Sequence, residues 1–172
     1  MKRGYIQVYT GNGKGKTTAA LGLTTRAVGA DLRVLWIQFI KSGAYSELEG
    51  LRYFGDRVSL EQFGTGRFVM REPTPEDKAL AERGLRRLRE TFEAGDFDVV
   101  ILDEFNVALS KGLLSLDSAL QLLSEKPEHF EVVCTGRNAP SELCAMADLV
   151  TEMRELKHYY SDGVAARRGI EK

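Results

Sequence analysis

Short apolar runs alternate with amphipathic stretches along the whole chain. Tyr5–Thr10 reads as a short β-rich run closed by glycines, and Val34–Ile40 as a near-continuous apolar run, as expected for a parallel strand buried on both faces. Val58–Phe63, Val99–Leu102, Phe130–Thr135 and Leu149–Met153 repeat the strand signal. Between them the period changes. Thr17–Val28 places Ala20, Leu23 and Ala27 on one helical face, and Ser46–Phe54 is a plausible short helix. Thr74-Pro75-Glu76-Asp77 is a helix start, with a capping hydroxyl, a proline suited to the first turn and acids at the positive helix end. The helix that follows carries Ala81, Leu85, Leu88 and Phe92 on one stripe and ends near Gly95. Leu116–Ser124 puts Leu116, Ala119, Leu120 and Leu123 in register, with Pro127 just beyond, and Pro140–Ala147 reads as a last helix. Gly64–Pro73 is loop-like, and the polar tail Arg154–Lys172 has no clear period.

Strands that alternate with helices imply parallel pairing through right-handed crossovers, hence a three-layer α/β fold with a mostly parallel sheet. Without repeats, linkers or low-complexity tracts, residues 1–172 read as one domain. Hydrophobic residues make up 43% and charged residues 28%, which suits a folded globular chain. A net charge of −1 argues against nucleic acid as a partner, since that affinity rests on a basic excess. No apolar run is long enough to span a bilayer. Met1-Lys2-Arg3-Gly4 leads straight into a strand, so no signal peptide is expected. Cys134 and Cys144 read as small buried hydrophobes in a reducing compartment, which points to the cytoplasm.

The strongest chemical signal is Thr10-Gly11-Asn12-Gly13-Lys14-Gly15-Lys16-Thr17-Thr18, between a strand and a helix. That is the context a phosphate loop requires. Gly11, Gly13 and Gly15 let backbone N–H groups turn toward phosphate oxygens, and Asn12 and Lys14 lie between them. The helix adds its N-terminal dipole. Lys16 supplies a mobile positive charge, the Thr17 hydroxyl can ligate Mg²⁺, and Thr18 can donate to a phosphate oxygen. The loop is a variant: the first glycine of the general G-x-x-x-x-G-K-[ST] pattern falls on Thr10. Mg-ATP is therefore the expected ligand.

Val99-Val100-Ile101-Leu102-Asp103-Glu104 has the form of a Walker B strand. Asp103 can hold Mg²⁺ directly or through water. Glu104 can join the metal shell, bond the nucleotide or polarise a water. Ligands of open α/β sheets sit at the carboxyl ends of the strands. Lys41, after one strand, and Arg137, after another, are thus candidate phosphate contacts. His129 and His158 share no metal-ligand spacing, so zinc is not expected.

The phosphate loop with Ala19-Ala20 after it resembles that of ATP:corrinoid adenosyltransferases of the CobA/BtuR type, whose loop shares the non-glycine first position. Gln38-Phe39-Ile40-Lys41, Ile101-Leu102-Asp103-Glu104 and Thr135-Gly136-Arg137 match the same family. So does the tail: Ala147–Met153, Lys157-His158, Asp162–Ala166 and Gly169-Ile170-Glu171. The tail is the more telling match, because it does not follow from having a phosphate loop. The resemblance implies a RecA-like P-loop NTPase fold and a homodimer. It also implies transfer of the 5′-deoxyadenosyl group from ATP to a corrinoid reduced to cobalt(I) by an electron-donating reductase, with triphosphate released. It makes Lys16, Thr17 and Glu104 the candidate catalytic groups and promotes Lys157 and His158 to candidate contacts of the nucleotide or the corrinoid. Longer family members carry a Phe-x-Trp pair thought to crowd the lower face of the corrin, and an N-terminal extension. This chain has Arg67 and Val69 at the aligned positions, with Phe68 between them, and begins close to its first strand. Phe68 either takes over the crowding alone or the protein favours corrinoids whose lower ligand is absent or already displaced. The second is favoured, because a lone aromatic in a glycine-flanked loop is weakly fixed.

Two other functions share parts of this sequence. A small-molecule kinase would use the same loop, with the arginines of Arg83–Arg89 as a lid, although a solvated helix face explains those better. A RecA-like nucleic-acid or assembly module would need no chemistry at all.

Overall fold

The structure, a computed structural model, describes residues 2–66 and 72–171. Its strands are β1 (Ile6–Thr10), β2 (Val34–Gln38), β3 (Val58–Gln62), β4 (Val99–Asp103), β5 (Glu131–Thr135) and β6 (Leu149–Glu152). The helices are α1 (Lys16–Gly29), α2 (Ser46–Arg52), α3 (Pro75–Ala94), α4 (Phe105–Ser110), α5 (Leu116–Ser124) and α6 (Ser141–Met146). The six strands form one sheet in the order β3-β2-β4-β5-β1-β6, and every neighbouring pair is parallel. One strand, β5, separates the phosphate-loop strand β1 from the acidic strand β4. Among the described residues no helix is long and apolar enough to cross a membrane.

β2 and β4 are buried along their whole length, as continuous apolar runs require. On one face Leu35, Ile37, Val100, Leu102 and Val132 pack against Leu85 and Leu88 of α3, Phe105 of α4 and Leu122 of α5. On the other, Trp36, Ile101 and Val133 pack against Ala20 and Ala27 of α1 and Leu51 of α2. These are the three layers that the alternation implied.

The face of α1 differs from the expected one. Ala20, Thr24 and Ala27 are buried, while Leu23 is only partly so. Thr24 lies inward because its hydroxyl accepts the Trp36 indole N–H at 3.0 Å and donates to the Ala20 carbonyl at 2.9 Å. A buried indole N–H needs such a partner. On α5, Leu122 takes the buried place expected of Leu120, which packs only partly buried. The start of α3 is as read: the Thr74 hydroxyl accepts from the Asp77 N–H (3.2 Å), and Asp77 accepts from the Thr74 N–H (2.9 Å). Its arginines lie along a solvated face, with Arg87 bonded to Glu61 (2.7 Å) and Arg89 to Glu125 (3.1 Å).

Candidate functional site

The register places polar side chains in a row at the carboxyl edge. Gln38 lies opposite Asp103 across β2 and β4, and Tyr9 opposite Thr135 across β1 and β5. Between β1 and α1 the chain turns through Gly11 (φ 95°) and Gly15 (φ 125°). The Lys16 ammonium folds back over this turn and donates to the Gly11 and Gly13 carbonyls, both at 2.7 Å. Burial, and then Arg137, hold the Lys16 pKa below that of a free lysine, while Glu104 works against them.

The glycines also serve a neighbour. The backbone after β6 runs beside the loop, and the Gly13 N–H donates to the Met153 carbonyl at 2.7 Å. A Cβ on Gly11 would stand 2.4 Å from that carbonyl oxygen, and one on Gly13 2.8 Å. The first two loop glycines thus admit the tail's backbone, and the Gly13 N–H, expected to turn toward a phosphate, is taken by the Met153 carbonyl.

Asp103 is the hub. Its Oδ1 accepts the hydroxyls of Thr17 (3.0 Å) and Thr135 (2.8 Å), and its Oδ2 accepts the Gln38 amide (3.0 Å) and the Lys41 ammonium (2.9 Å). Both carboxylate oxygens are therefore fully engaged. Lys41 donates also to Glu47 of α2 at 3.1 Å, so the ammonium of this candidate phosphate contact is paired with two carboxylates. Burial opposes the charge of Lys41, but Asp103 and then Glu47 prevail and raise its pKa. Gln62 donates to the Gln38 side-chain oxygen Oε1 at 3.0 Å and lines a cleft of about 570 Å³ beside Leu48, Leu51 and Leu60, so that cleft borders the site.

Glu104 follows in the left-handed region (φ 59°), with its N–H donating to Thr135 at 3.2 Å. A non-glycine residue there stores strain, which is commoner at sites than elsewhere. Burial and the Asp103 charge push its pKa up, while Lys41, Lys16 and Arg137 oppose them. Arg137, at the exposed turn after β5, thus shares one field with Lys16 and Glu104. Sequence reasoning missed Asn106. Its amide donates to the Tyr9 carbonyl (3.1 Å) and the Gly136 carbonyl (2.9 Å), tying the phosphate-loop strand to the Arg137 turn. The available signal was one amide in the apolar run Phe105–Leu109.

The tail closes one side. Lys14 donates to Glu171 (2.8 Å) and to the Tyr159 hydroxyl (3.1 Å). His158 precedes a 3-10 turn, and its Nδ1 accepts the Tyr160 N–H at 3.0 Å. Asn12 and Thr18 are exposed on the loop and on the first turn of α1. Phe68 lies outside the described residues.

A glycine loop between a parallel strand and a helix, with a lysine over it and an acid from a second strand bonded to its threonine, defines a P-loop NTPase-like protein. The solved flagellar accessory protein FlaH from Methanocaldococcus jannaschii shares this fold with a TM-score of 0.59 at 12% identity, over 88% of this chain and 72% of that one. The sequence narrows the class. Residues 2–171 match the family described as ATP:corrinoid adenosyltransferase BtuR/CobO/CobP. The corrinoid adenosyltransferase of Pseudomonas aeruginosa is 37% identical over 171 residues, 99% of this chain and 84% of the relative. Those of Escherichia coli K12 (35%) and Salmonella typhimurium (36%) each cover 99% of this chain and 86% of their own length. The chain belongs to the ATP:corrinoid adenosyltransferase family, whose members are transferases acting on ATP and a corrinoid.

Proposed function

We propose that this protein moves the 5′-deoxyadenosyl group of Mg-ATP to the cobalt(I) of a reduced corrinoid and releases triphosphate. Cobalt(I) supplies the electron pair of the new cobalt–carbon bond and becomes cobalt(III). The bond between C5′ and the bridging oxygen breaks, and its electron pair leaves with the triphosphate. No proton is transferred. The protein's tasks are to align the reacting atoms and to stabilise the charge of the leaving group.

The engagement of Asp103 carries this reading. A carboxylate whose two oxygens each accept two hydrogen bonds has no free lone pair for a general base. It is a fixture that orients Thr17. In this reading Lys16, Arg137 and the loop N–H groups other than that of Gly13, which the Met153 carbonyl takes, serve the triphosphate, and Gly11, Asn12, Gly13, Lys14, Gly15 and Thr18 shape its bed. The donors suit Mg²⁺, because Thr17 and Asp103 offer hard oxygens 3.0 Å apart with the Glu104 carboxylate next in the chain. Thr17 and Glu104 would hold the ion, with Asp103 acting on it through the Thr17 hydroxyl that it orients. When bound, Mg²⁺ neutralises part of the triphosphate charge. Phe68 belongs to the corrinoid side of this reading, and His158 contacts the nucleotide or the corrinoid.

The reading includes a homodimer, a reductase that delivers electrons to the corrinoid, and a reducing, cytoplasmic setting. Leu149 and Val150, half-exposed on the edge strand β6, support the first, and two free cysteines support the last.

The test is an anaerobic assay with ATP, Mg²⁺ and chemically reduced corrinoid. Triphosphate and a light-sensitive alkyl-corrinoid should form one for one, and Lys16→Ala should lose on the order of 10²–10³ in rate. ADP as the product would mark a kinase or ATPase and refute the proposal.

A further inference from the structure

The tail between β6 and residue 171 is mostly exposed, yet it is tied to the phosphate loop at both of its ends. At the near end the Met153 carbonyl accepts the Gly13 N–H at 2.7 Å. At the far end the Glu171 carboxylate accepts the Lys14 ammonium at 2.8 Å and also the Tyr159 hydroxyl. Lys14 reaches the same hydroxyl at 3.1 Å. Arg167 finishes the cluster: its backbone N–H donates to Glu171 at 2.8 Å, and its guanidinium donates to the same carboxylate at 3.0 and 3.2 Å. The Arg167 and Lys14 charges lie 5.1 and 5.9 Å from the centre of the Tyr159 ring. The Glu171 side chain is only 15% exposed. Arg167, Lys14 and Tyr159, in that order, hold its carboxyl well below the usual carboxylate range.

Adjacent loop residues, Gly13 by its backbone and Lys14 by its side chain, are thus fixed from outside by one segment. From this we infer that Glu171 is a positioning residue: through Lys14 and Tyr159 it braces the phosphate loop in the shape that receives the triphosphate. The inference rests on the reading of that loop as the ATP site. A loop held ready before binding loses less freedom when the nucleotide arrives, so the brace contributes to ATP affinity.

Charge alone predicts the opposite. Glu171 is an anion beside the bed of an anionic ligand, and a purely through-space effect would make its neutralisation tighten ATP binding. The sign of the change therefore separates the two.

The experiment measures ATP affinity by calorimetry on the full chain without corrinoid, then steady-state kinetics. Glu171→Gln should weaken ATP binding about fivefold, the upper range for a partly exposed ion pair. KM for ATP should rise to match, with kcat at saturating ATP within about twofold and the melting temperature unchanged. Glu171→Asp should recover part of the affinity. In a Lys14→Met background Glu171→Gln should have no further effect, because the two act as one unit. Unchanged or tighter ATP binding by Glu171→Gln would overturn the inference, as would an equal loss in both backgrounds. A wild-type protein that fails to bind ATP would sink the functional reading and this one with it. Wild-type binding with an indifferent Glu171→Gln would sink this one alone.

Discussion

Glu104 combines a left-handed backbone with a carboxyl group pressed between burial and the Asp103 charge. Its pKa in the folded protein is raised, so the folded chain holds this proton more tightly than the unfolded chain does. The stability it contributes is present below the unfolded pKa and is lost as pH climbs through the folded value. Glu104→Gln keeps the shape and removes the charge. The variant should therefore melt higher than the wild type near pH 7.5, and the gap should close toward about pH 4, where the unfolded carboxyl protonates. A gap of equal size at both pH values would show that charge is not the cause. Residue identity made Glu104 a candidate, but its strain and its company depend on β4, β5 and the loop meeting in space. Gly11 and Gly13 show the same limit. They were readable as room for phosphate, but not as room for Met153, a neighbour distant in the chain.

Among the elements, α1 matters most, because its first turn carries Lys16 and Thr17. Trp36 of β2, the only tryptophan, seats it by donating to Thr24. Thr24→Val keeps the volume but leaves a buried indole N–H without its partner, which costs about 1–3 kcal/mol. Denaturant unfolding should show a lower midpoint with an unchanged slope. A loss below about 0.5 kcal/mol, the scale of surface changes, would mean that the bond does not hold α1 in place. The strands were legible because buried parallel strands write themselves as apolar runs, and α3 because Thr74 and Asp77 mark its start. α4 was not. It follows β4 after one residue, has six residues and lacks a side-chain cap, so its apolar pattern merges with the strand before it. Thr24 was left out of the buried face because apolar period alone does not count a hydroxyl that serves a buried tryptophan.

Across the whole molecule, the parallel sheet gathers one edge of polar side chains, and Asp103 binds four of them from β2, β5, α1 and the segment after β2. The tail, without a period of its own, takes its place through contacts to the phosphate loop. Only its resemblance to the family signature marked it in the sequence. The account's central claim is that this assembly positions ATP for attack at C5′ and not at phosphorus. The most direct test places ¹⁸O at the oxygen that bridges C5′ and the α-phosphate, and supplies this ATP with Mg²⁺ and cobalt(I) corrinoid to the protein. The account predicts that all of the label leaves in triphosphate, with a new cobalt–carbon bond for each molecule released. Label retained on the adenosine fragment would contradict it.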